Sequence, residues 1–282
     1  MNSEIKLNSK FLLSGNTLRL FLVSVTSTFL RYGSVFAVLY GAFLFHGSAF
    51  FKNALAKYNS IGIYTAFILA TVIVLTAALI FSAAVKGGEE LIFFTRAQGS
   101  KGRFSLLFKY FHLRKALAFF RLYLKTSCLK FIWLIYFLLP FLFCSACSYY
   151  LYSTDHLSNA VYVILCAGAS LLLSVSLIMW RVSALRYSAA PYYLCLNTQR
   201  GVNYVIEKSI RFTDGYLTDG IVLEYSFLGW LLSCIFIVPI IYVVPYLKLS
   251  RAAYVSYAVT ENAPKVKLTY AISFLRSGEH ID

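Results

Sequence analysis

The stretch IGIYTAFILATVIVLTAALIFSAAV, Ile61–Val85, runs for 25 residues without a Lys, Arg, Asp or Glu. A hydrocarbon core about 30 Å thick is crossed by roughly 20 apolar residues in a helix rising about 1.5 Å per residue. The stretch therefore predicts a transmembrane helix. Tyr32–Phe51, Phe131–Tyr152 and Leu157–Trp180 are equally free of charge, and Ile221–Leu247 contains only Glu224. A membrane barrel shows segments of about ten residues that alternate apolar and polar; these runs are continuous. Composition agrees. Of 282 residues, 60% are hydrophobic and 13% charged, with mean hydropathy +0.71. Soluble domains have roughly 45–50% apolar and about 25% charged residues, so this chain lacks the charge to cover a water-facing surface. A soluble, disordered or disulfide-scaffold protein is excluded. The expected fold is all-α, a polytopic transmembrane helix bundle.

The fifth apolar stretch extends through Tyr257, too long for one span, with Pro239 near its middle and Pro245 beyond. Proline breaks or kinks a helix by removing a backbone hydrogen bond. A hairpin of two spans, near 217–238 and 240–258, is expected, giving about six with those near 32–51, 61–85, 131–152 and 157–180. One tilted span over 221–247 is the alternative. Lys and Arg number 24 in residues 1–31, 86–130, 181–220 and 248–282, against two in 52–60 and none in 153–156. The positive-inside rule then places both termini and the tail 259–282 in the cytoplasm, which requires an even number of spans. Lys248 and Arg251 would have to snorkel or face the protein interior.

The charged segment 101–130 predicts an amphipathic helix lying in the inner interface. Arg103, Arg114, Arg121 and Lys125 fall within about 40° of one another at 100° per residue. Such a face anchors the chain, or contacts anionic phospholipid of the inner leaflet or a cytoplasmic partner. Glu224 is the one acid well inside an expected span, with Arg181, Arg186 or Arg251 as candidate partners; an intramembrane carboxylate is a functional-site candidate. The plainer reading is a carboxylate ion-paired about one turn from the cytoplasmic end. Glu89 and Glu90 close the second span. Cys144-Ser-Ala-Cys147 has C-x-x-C spacing without the βαβ context that gives it redox meaning. His46, His112, His156 and His280 lack partners at metal-ligand spacing. No phosphate-cradling loop or nucleophile motif occurs, so no catalytic residue, metal or cofactor is expected. Without a recognition module, the formal charge of +15 does not imply nucleic acid. Gly33, Ala37 and Gly41 put small residues on one face of the first span, a helix-packing signal within or between chains.

From Arg186 the sequence reads Arg-Tyr-Ser-Ala-Ala-Pro191-Tyr-Tyr-Leu, followed by Lys208-Ser209, Gly215, Phe227-Leu-Gly-Trp230, Pro245-Tyr246 and Ala253-Tyr254. This succession resembles a family of uncharacterised bacterial membrane proteins, domain of unknown function 975. That family is itself similar to the membrane domain preceding some glycerophosphodiester phosphodiesterases. The resemblance runs over residues 186–258 and back to Gly87, leaving out the amino-terminal span and the end of the chain. A Pro-Gly pair usual in the family before the Tyr-Ser motif is missing here, where Pro140 is the nearest upstream proline. The resemblance implies six spans in a bacterial cytoplasmic membrane and carries no catalytic residues. Pro191 is expected to end or bend a helix, and residues 204–219 read as a short amphipathic helix whose exit Gly215 permits. The expected role is non-enzymatic: accessory, scaffolding or membrane-organising. A transporter of lipid or small molecules and a lipid head-group enzyme are the alternatives.

Overall fold

The structure is a computed structural model that describes residues 2–48, 51–53, 60–100, 102–154, 158–196, 201–235 and 237–262. Among them the regular elements are helices: α1 (Asn2–Leu13), α2 (Thr17–Gly47), α3 (Ser60–Ala97), a 3₁₀ turn (Phe104–Phe108), α4 (Leu113–Ser153), α5 (Asn159–Leu185), α6 (Ala190–Leu196), α7 (Val202–Asp214), α8 (Leu217–Tyr225), α9 (Leu228–Ser233) and α10 (Ile237–Asn262). Four of them, α2, α3, α4 and α5 continued by α6, are long and apolar enough to cross a membrane.

These helices outrun the bilayer. At about 1.5 Å per residue the 41 residues of α4 extend roughly 60 Å, twice the hydrocarbon thickness. Each therefore has two unlike halves. In α3 the apolar half exposes Ile61, Ile68, Leu69, Val72 and Ile73, while Ala84, Val85, Ile92, Phe93 and Phe94 are buried in the other half. In α4, Ala116, Phe119 and Leu122 are buried, whereas Ile132, Tyr136 and Phe143 are exposed. The exposed halves pair as two hairpins, α2 with α3 and α4 with α5. Their apolar surface is far larger than the patches a soluble monomer shows, and suits acyl chains. The buried halves are collared by α1, the 3₁₀ turn, α6, α7 and α10, and both hydrophobic cores lie in this collar.

Two glycines let the collar close. A Cβ on Gly88 would stand 2.1 Å from the Leu107 carbonyl oxygen, and one on Gly87 would stand 2.8 Å from the Phe119 ring. Both are incompatible with the observed approach of the 3₁₀ turn and α4 to α3. At the far end of α3, the Arg96 guanidinium donates to the Leu12 carbonyl (2.9 Å), one of the orphan acceptors ending α1.

The structure departs from several expectations. Residues 217–238 are not one continuous helix: α8 and α9 hold nine and six residues, and the 26-residue α10 follows. A helix needs about 20 residues to cross the core, and breaks at Ser226-Phe227 and after Ser233 leave α8 and α9 short of that. Nor is 101–130 a single helix. The chain around Arg103 is extended, residues 104–108 are 3₁₀, and helix resumes at Leu113 as the inner length of α4. Arg103 therefore does not share a helix face with Arg114, Arg121 and Lys125. Pro191 opens α6 as its second residue, a position where its missing N–H costs nothing. The expected helix 204–219 is α7, with Val205, Ile206, Ser209 and Thr213 inward and Glu207 and Arg211 paired on the outside. Gly215 caps it with ordinary right-handed torsions, φ −79. Gly33 and Gly41 face open space, so their stripe packs on nothing in this chain among the described residues. The part of the tail after 262 lies outside the described residues, as do Asp155, His156 and His280.

Candidate functional site

A partly open cavity of about 200 Å³ sits in the collar where the apolar stretches of α3, α4 and α5 end. Its walls carry Lys86 from α3, Lys130 from α4, Arg181 from α5 and Arg251 from α10. Among the described residues two carboxylates line the same wall, Glu90 from α3 and Glu224 from α8. Glu224 is already engaged: Arg181 donates to its Oε2 at 2.8 and 2.9 Å, and Arg251 reaches Oε1 at 2.9 Å. Its side chain is 13% exposed, and the two bonds close α8 against α5 and α10 with both guanidiniums partly open to solvent. Glu90 and Tyr192 line the same wall of the cavity.

Lys86 and Lys130 have no carboxylate within 4 Å among the described residues, and they are near enough to repel one another. The Lys86 ammonium stands 4.3 Å from the centroid of the Tyr123 ring, a cation–π contact that leaves its N–H donors uncommitted. The Tyr123 hydroxyl and Arg251 Nε are buried without a hydrogen-bond partner among the described residues. Buried polar groups are normally satisfied, and leaving one unpaired costs about 1–3 kcal/mol. The cavity's described lining thus carries more positive than negative charge.

A second ionic cluster backs the first. Glu89, next to Glu90, is 4% exposed; it accepts from Ser27 (2.8 Å) and Lys248, and Arg31 lies 3.7 Å away. It ties α2, α3 and α10 together. Lys248 and Arg251 close onto Glu89 and Glu224, carboxylates of neighbouring helices.

A sequence model for the family described as "Protein of unknown function (DUF975)" matches residues 1–262. The chain belongs to the DUF975 family. The match takes in the amino-terminal helices, which the motif succession at 186–258 left out. Searches of curated proteins and of solved structures find no match. The wider likeness to the membrane domain of glycerophosphodiester phosphodiesterases is not supported by them.

In this DUF975 protein the expected site residues divide. Glu224 and Arg251 meet, joined by Arg181. Arg186 makes no ion pair with Glu224 among the described residues; its carbonyl instead accepts from Ser209 (2.7 Å) and Thr213 (3.2 Å), fixing α7. Arg103, Arg114, Arg121 and Lys125 are exposed, and Lys125 donates to Asn203 on α7. They lie outside the cavity wall. Cys144 and Cys147 are free thiols in α4. The cavity's own Lys86, Lys130 and Tyr123 escaped sequence reading, because nothing in their spacing shows that α3 and α4 bring them together. The signal available was only that Lys86 and Lys130 end apolar runs.

Proposed function

We propose that this protein is a non-enzymatic accessory protein of the bacterial cytoplasmic membrane that holds an anionic phospholipid head group of the inner leaflet. It crosses the membrane four times, with its amino terminus and collar inside. The observation that carries the reading is the convergence of four cations, against two carboxylates, at the ends of three apolar helices. Charge and depth support an anionic lipid: the cavity lies where head groups meet the hydrocarbon, and the apolar helix halves begin beside it. An even span number is kept by α2 to α5, and the connections 48–60 and 154–158 hold just Lys52 and Lys57 of the 26 basic residues. That asymmetry supports the orientation.

Native mass spectrometry of the protein released from mild detergent tests the proposal. Retained anionic lipid, lost on Lys86→Gln with Lys130→Gln and kept on Arg114→Gln with Arg121→Gln, is the expected result. A protein that carries no anionic lipid, or loses it equally with both pairs, overturns it.

A further inference from the structure

The inventory of uncommitted groups in the cavity is specific enough to choose among anionic head groups, and this step rests on the lipid site proposed above. We infer that the cavity recognises a terminal phosphomonoester, as in phosphatidic acid, over the phosphodiester of phosphatidylglycerol and related lipids.

Two features of the site carry the inference. The first is charge. Four cations and two carboxylates line the wall, which leaves two positive charges unmatched. A phosphomonoester near neutral pH carries a charge of about −1.5 to −2 and offers three strong acceptor oxygens. A phosphodiester brings one negative charge and two such oxygens, and leaves one cation uncompensated. The second is the donor set. Glu224 takes up one nitrogen of Arg251 and two of Arg181, so the donors left without a partner include the ammoniums of Lys86 and Lys130, the buried hydroxyl of Tyr123 and Arg251 Nε. They come from three helices, α3, α4 and α10. These donors outnumber the two non-bridging oxygens of a phosphodiester and are better met by the three terminal oxygens of a phosphomonoester. One of them is a neutral hydroxyl in a buried position, where an unmet donor is costly and a bond to an anion is strong.

The full chain in phosphatidylcholine nanodiscs, doped equally with phosphatidic acid and phosphatidylglycerol, tests this by counting retained lipids with native mass spectrometry. Phosphatidic acid is expected to be retained about tenfold over phosphatidylglycerol, the scale of one charge-assisted hydrogen bond. Tyr123→Phe is expected to erase most of that preference, because it removes a donor that the third phosphate oxygen meets. A purely packing role for Tyr123 would leave the lipid ratio untouched. Equal retention of both lipids by the native protein, or an unaltered ratio in Tyr123→Phe, overturns the inference. In the equal case, loss of both lipids with Lys86→Gln and Lys130→Gln would leave the lipid site standing without its phosphomonoester preference. Glycerol 3-phosphate, added at the concentration of the doped lipid, separates the sources. Failure to displace phosphatidic acid supports the lipid, whereas full displacement by it but not by glycerol would keep the phosphomonoester and overturn the lipid.

Discussion

Glu224 and Gly88 show how single side chains set the behaviour of the collar. Glu224 neutralises two guanidiniums that otherwise face the cavity. Glu224→Gln should therefore raise retention of anionic lipid while lowering the unfolding temperature, because α8 loses its clasp. Lipid retention that falls along with stability would show instead that the carboxylate holds the guanidiniums in place. Gly88 has no room for any side chain, since the Leu107 carbonyl occupies the space of its Cβ. Gly88→Ala must push the 3₁₀ turn off α3, and overpacking of this kind costs about 1–3 kcal/mol. A thermal melt of Gly88→Ala in detergent should drop clearly, while Gly41→Ala, with open space around it, should melt like the native protein.

Among the elements, α10 is the one most dependent on charge. Glu89 binds it through Lys248 and binds α2 through Ser27 and Arg31. Removing one partner of a buried ion pair costs up to about 3–5 kcal/mol, and less here because Lys248 keeps some contact with water. Glu89→Gln should accelerate hydrogen exchange in residues 243–255 of α10 and leave exchange in α5 as before. Uniform acceleration over both helices would mean that Glu89 supports the whole fold and not this one joint. Tyr246 adds a hydroxyl bond to the Lys6 carbonyl at 3.2 Å and an edge contact with Phe227, so α1 and the segment following α8 should loosen together with α10.

At the scale of the molecule, the arrangement of two apolar hairpins above one collar makes a topological prediction. Ile235, 80% exposed between α9 and α10, would stand at the outer surface if 217–258 formed a hairpin of spans, and at the inner one if α2 to α5 are the only crossings. Ile235→Cys in a background without native cysteines should react with an impermeant maleimide in inside-out vesicles and not in right-side-out ones. The reverse labelling would restore the hairpin. The sequence alone determined that the chain is a helical protein built for a membrane, because 20-odd residues without charge leave no other inexpensive place for them. It also located the four apolar runs and the amphipathic α7, whose signals are local. Tertiary structure decided the rest. The Ile221–Leu247 run is as apolar as a span, yet α8 and α9 break it and Phe227 and Leu223 are buried in the collar. Apolarity reports that a residue avoids water without saying whether lipid or protein receives it. The cavity follows the same logic: Arg181 and Arg251 were legible as partners for Glu224, but Lys86 and Lys130 only end apolar runs, and the repulsion among the four has meaning only once the fold has set them around one space.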